Sequence, residues 1–107
     1  MKGIGNVMEN LTFNMKVAVD LALRDAEAKS LDENEYRIRG VAPIEVDHYL
    51  EEMGFDMDDS DYDNVCDSVY FTYSKDDLCI VLEWNGWTGY VGVMGYNAEN
   101  YYGNSDC

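Results

Sequence analysis

Positive charge, histidine, cysteine and proline are all scarce in this chain: seven Lys and Arg, one His, three Cys and one Pro in 107 residues. Each shortage closes off a class of function. With a formal net charge of −15, direct binding to nucleic acid or to an anionic membrane works against Coulomb's law. Cys66, Cys79 and Cys107 are odd in number and unpatterned, without metal spacing, which fits a reducing cytoplasm better than a disulfide framework. The single histidine, His48, lies beside Asp47 with no thiol–histidine–acid order around it, and a lone surface histidine is more often structural than catalytic. No glycine-rich phosphate loop is present. The expectation is therefore a protein that is not an enzyme and carries no cofactor. No apolar run reaches about 18 residues, so no membrane span is expected. Met1 to Val7 lacks the apolar core of a secretory signal, and the expected location is the cytoplasm.

What the chain does have is ordinary foldability and one extraordinary segment. Hydrophobic residues make up 47% of it, aromatics 13%, enough for one modest core. Residues 1–9 are expected to form a flexible leader, with Met8 as an alternative start, ahead of a single α+β domain over 10–107. From Glu45 to Asp67, ten carboxylates occur in 23 residues with no Lys or Arg among them: Glu45, Asp47, Glu51, Glu52, Asp56, Asp58, Asp59, Asp61, Asp63 and Asp67. That middle fifth carries two thirds of the net charge. Self-repulsion on this scale opposes folding, so a role for the field itself is implied.

Leu11, Met15, Ala18, Val19, Ala22, Leu23 and Ala26 recur at three- and four-residue steps and predict an amphipathic helix to about Lys29, capped by Asn10 or Thr12. Tyr36 to Arg39 alternates and reads as a short edge strand. Pro43 suits the first turn of a second helix. Val46, Tyr49, Leu50 and Met53 form its apolar stripe and Gly54 its stop, with the acids and His48 outside. Phe55 to Asn64 reads as an irregular loop pinned by Phe55, Met57 and Tyr62, which would display its aspartates in fixed positions. Beyond it, a three-stranded antiparallel meander is predicted. Asn85-Gly86 is a strong two-residue hairpin signal and places Trp84 opposite Trp87, Leu82 opposite Gly89 and Ile80 opposite Val91. A turn over 74–77 places Tyr73 opposite Leu78 and Phe71 opposite Ile80. The expected fold is thus two helices packed on this meander, with Tyr36–Arg39 as one extra edge strand. Asn97 to Cys107 reads as a tyrosine-rich tail.

Two chemistries compete for the acidic segment. Asp56, Asp58, Ser60, Tyr62, Asn64 and Asp67 fall at positions 1, 3, 5, 7, 9 and 12 of a calcium loop, but Asp61 stands where the sharp turn needs glycine and Asp67 where a bidentate Glu is usual. The other chemistry is mimicry of nucleic acid. Duplex DNA presents one charge per ~1.7 Å of axis to arrays of Lys and Arg, and carboxylates held on a folded scaffold can occupy such arrays. In size and charge the chain resembles the small acidic inhibitors that phages and mobile elements use against host defence. The resemblance is one of composition and covers no motif; it implies an anti-restriction or anti-CRISPR type of activity in a host cytoplasm. The partner expected is a basic nucleic-acid-binding protein: a nuclease, a restriction enzyme or a CRISPR effector. The binding face would consist of the ten carboxylates with Tyr62 for short-range contact. The alternatives are a divalent-cation-binding domain built on 56–67 and a structural protein that self-associates through the second sheet face.

Overall fold

A computed structural model describes residues 13–98, apart from Glu33 and Cys66. The expected leader, the caps at Asn10 and Thr12, Cys66, Cys107 and the tyrosines at 101 and 102 lie outside the described residues. Helix α1 spans Met15–Glu27 and is started by Asn14, whose side chain accepts a hydrogen bond from the Val17 N–H at 3.1 Å. Its buried stripe is Ala18, Val19, Ala22 and Ala26, as the periodicity implies. Strand β1 covers Tyr36–Arg39 and helix α2 covers Pro43–Glu52. Gly54, at φ +95°, turns the chain out of α2 where an L side chain would be strained. No helix among the described residues is long and apolar enough to cross a membrane.

The sheet departs from expectation. It has five antiparallel strands, β2 (Asp56–Asp63), β3 (Ser68–Lys75), β4 (Leu78–Asn85) and β5 (Tyr90–Asn97) joining β1 in the order β1-β5-β4-β3-β2. A three-stranded meander with one added edge strand is therefore incorrect, although the α+β class fits. The missing strand is β2, formed by the aspartate-rich segment that reads as a loop. Two features conceal it. Aspartate is depleted in strands, and the pairing register slips between Met57 and Asp59. That bulge inserts one residue, so Met57 and Tyr62 share a face although five positions separate them, and the period of two is broken. β2 is nonetheless continuous with β3 from Asp56↔Ser74 to Asp63↔Ser68.

Both hairpin registers also differ. Leu82 pairs with Val93, not Gly89; Phe71 pairs with Leu82, not Ile80; and Trp84 pairs with Val91, not Trp87. The β4–β5 turn is longer because the Asn85 side chain accepts from the Trp87 and Thr88 N–H groups, at 2.8 and 3.1 Å, and Gly89 takes positive φ (+77°) at its end. Trp87 is consequently exposed in the loop and does not face Trp84. The β3–β4 turn is shorter, with Lys75 opposite Leu78 and Asp76 left-handed at φ +56°. Both displacements are even in number of residues, so each side chain keeps its predicted face.

Tyr73, Ile80, Leu82, Val91, Val93 and Ile38 bury the helix side of the sheet against Val19, Val46, Leu50 and Phe55. α1 lies across β5 and also touches β1 and β4, and Gly95 on β5 lets the Ala22 backbone approach directly. α2 carries the chain from β1, at one edge, to β2, at the other.

Candidate functional site at the acidic edge

Among the described residues β2 is an edge strand, paired with β3 alone, and five of its eight residues are aspartates. Register assigns their faces. Asp56, Asp59, Asp61 and Asp63 pair with Ser74, Thr72, Tyr70 and Ser68 and stand on the face away from the helices. Met57, Ser60 and Tyr62 pair with Tyr73, Phe71 and Val69 on the helix side. All of β2 is exposed except Asp63, which is half-buried. The Asp59 and Asp61 carboxylates each accept the N–H of the following residue, Ser60 and Tyr62, at 2.9 Å. Neither N–H is then open to an incoming strand, so the edge is blunted by its own charged side chains.

The remaining predicted site residues divide between binding surface and scaffold. Glu45 accepts from the Ala42 N–H at 2.8 Å and closes the start of α2. Asp47 is half-buried and accepts the Tyr73 hydroxyl at 2.7 Å, a bond that ties α2 to β3. Burial first, then this bond, push the Tyr73 phenol far above its ordinary range. Glu51 and Glu52 are exposed in the last turn of α2, where the helix dipole disfavours them. Lys75 offsets this from across the sheet end, its Nζ donating to the Met53 carbonyl at 2.7 Å. Tyr62 is exposed and donates to Asp67 at 2.9 Å, which raises its phenol pKa. Asp67 is half-buried, left-handed at φ +54°, and its carbonyl accepts from Gly86. The ten carboxylates thus do not share one plane. Four lie on α2 and four on the far face of β2, with Asp58 at the bulge and Asp67 in the β2–β3 turn.

A calcium loop over 56–67 does not survive this geometry, because residues 56 and 63 end an extended strand about 23 Å long and cannot converge on one ion. A different trio, Asp47, His48 and Glu51, has ligand atoms within 4.8 Å of one another on one side of α2 and can present three donors to a divalent ion. Between α2 and the β2–β3 edge runs an apolar groove of about 340 Å³, lined by Pro43, Ile44, Asp47, Met57, Phe71 and Tyr73.

Sequence reasoning missed a second cluster, on the sheet face away from the helices. Gly92 on β5 lies between Glu83 and Arg37, and the Glu35 carboxyl occupies the space its side chain would fill. Arg37 Nε donates to Glu35 at 3.0 Å, while both Arg37 and Arg39 lie over the Tyr90 ring, at 4.8 and 5.2 Å. Glu83 accepts from the Ser68 and Tyr70 hydroxyls at 3.3 and 3.4 Å, and Asn85 donates to Ser68 at 2.8 Å. Burial, then a hydrogen bond with Glu35, raise the Glu83 pKa. A pocket of about 100 Å³ opens there. The two glutamates lie 48 positions apart, and the lone signal was a glycine inside a strand. On the same face Cys79 is buried, and burial followed by Asp58 pushes its thiol up to about 11.

No protein-family model, no curated protein and no solved structure matches this chain.

Proposed function

We propose that the protein acts by binding, without catalysis, and that its acidic edge occupies the cationic groove of a basic protein that otherwise handles DNA or RNA. The observation that carries the reading is the ordered, exposed edge strand with aspartate at five of eight positions. At about 3.3 Å per residue this is one carboxylate per ~5 Å, near the one phosphate per ~3.4 Å of a single B-DNA strand. Glu51 and Glu52 add charge on the α2 side. The carboxylates of Asp59 and Asp61 are oriented by backbone N–H groups, so little side-chain freedom remains to be lost on binding. Inhibition of an anti-restriction or anti-CRISPR kind, in the cytoplasm of a host cell, is the biological form this chemistry would take.

The test is capture from cell lysate on the immobilised protein with a salt-gradient elution, then displacement of labelled duplex DNA from whatever is captured. A nucleic-acid-handling protein released at moderate salt and displaced from DNA is the expected result. Asp56, Asp58, Asp59 and Asp61 changed together to Asn should abolish capture and leave folding intact or strengthened, because Asn keeps an accepting oxygen while repulsion falls. Undiminished capture by that variant, or a partner that resists high salt, refutes the proposal.

A further inference from the structure

The acids of α2 and β2 account for charge but leave unexplained the apolar groove between these elements. Ile44 on α2 and Met57 on β2, 60% and 50% exposed, both line it, together with the half-buried Phe71 and the buried Tyr73. Scattered apolar residues on a surface need no explanation, but a contiguous apolar depression does. At about 340 Å³ the groove sits at the lower end of the ligand-site range, roughly 300–1,000 Å³, which suits one large side chain or two small ones.

We infer that this groove receives an apolar side chain, aromatic or leucine-sized, that the basic partner presents between Lys or Arg residues. The inference rests on the proposed function and adds its short-range specificity, since charge complementarity governs encounter more than selection. Three features favour this occupant. Asp47 lines the groove, and the two elements that wall it, α2 and β2, carry nine carboxylates and no Lys or Arg, so its surroundings suit cationic flanks. The N–H groups of Ser60 and Tyr62 are taken by Asp59 and Asp61, so a partner enters through side chains and not by adding a strand. A second copy of this chain would bring another −15 of net charge against the same carboxylates, and like-charge juxtaposition opposes it.

Two seven-residue peptides test the inference: one of lysines and arginines with a central Leu-Phe pair, and the same peptide with Ser-Ser at the centre. At physiological salt the Leu-Phe peptide should bind at least tenfold more tightly, the factor expected for burying a large apolar side chain. In NMR spectra it alone should shift the methyl signals of Ile44 and Met57. Ile44→Ser with Met57→Ser should erase that advantage and leave the Ser-Ser peptide's affinity unchanged. Both changes are at exposed positions and spare folding. Equal binding of the two peptides to the native protein overturns the groove while leaving the charge reading standing. Should the quadruple Asp→Asn variant bind both peptides as well as the native protein does, the charge reading falls, and this inference with it. Concentration-dependent dimerisation that the Ile44 and Met57 changes abolish would assign the groove to a second copy and also overturn the inference.

Discussion

Gly95→Ala is the substitution for which the geometry makes the sharpest demand. Gly95 lies in β5 with ordinary extended backbone, so the conformation itself accepts any residue. What it does not accept is a Cβ, which would overlap the carbonyl oxygen and carbon of Ala22 in α1. The obstacle is helix backbone, and no rotamer change relieves it. α1 must back away from β5 by on the order of 1 Å, and a gap of that size forfeits about a quarter to a half of each dispersion contact it opens. Ala18, Val19, Ala22 and Ala26 all lose contact together, because they form one rigid stripe. Overpacking costs typically ~1–3 kcal/mol, and an immovable obstacle puts this site at about 3. The reduced entropy of the unfolded chain offsets ~0.4–1 kcal/mol of it. A net loss of about 2–3 kcal/mol is expected, or roughly 10–20 °C in Tm at ~4–8 °C per kcal/mol for a domain of this size. Urea denaturation measures it, with an unchanged m-value showing that the native fold persists. Gly92→Ala is the internal control. Its Cβ would meet the Glu35 side chain, which can swing away, so a loss below about 1 kcal/mol is expected. Ala22→Gly should not rescue Gly95→Ala, because the offending carbonyl remains. Equal stability of the two glycine variants would refute the close helix–strand approach on which the fold depends.

Glu83→Gln tests the pocket on the other face. A carboxyl whose folded pKa is raised contributes stability that is fully present below its unfolded pKa and is lost as pH rises through the folded value. The Gln variant should therefore gain on the native protein between pH 4 and pH 7 in denaturation curves, and a difference that stays constant with pH would contradict the burial of Glu83. Tyr73→Phe removes the bond to Asp47 but no packing volume; a loss of about 1–2 kcal/mol is expected, since water can still reach the half-buried carboxylate. No loss would mean that this bond does not hold α2 to the sheet.

The candidate site was legible in the sequence as a concentration of charge and illegible as a shape. Ten acids without a basic neighbour are a fact of composition, and their exposure at Asp56, Asp58, Asp59 and Asp61 follows from the cost of burying charge. Glu45 and Asp47 look the same in the sequence but serve the scaffold, one closing the start of α2 and the other accepting from Tyr73. Nothing local distinguishes them from Glu51 and Glu52. The Glu35–Glu83 pair is less legible still, because it exists only where β1, β4 and β5 are brought side by side over the bare Cα of Gly92.

From the sequence alone came everything that depends on neighbours within a few positions. The apolar period of α1, the proline and glycine that bound α2, and the faces of β3, β4 and β5 were set there, because helix and strand periods and terminal signals are properties of short segments. Tertiary structure decided the rest. Whether 56–63 is loop or strand depends on β3 offering its free edge, which outweighs the poor strand propensity of aspartate. The hairpin registers depend on which turn the Asn85 side chain closes and on burial pairing Leu82 with Phe71 and Val93. The division of the acids between α2 and β2 follows from α2 crossing from one sheet edge to the other, a long-range fact that no local pattern encodes.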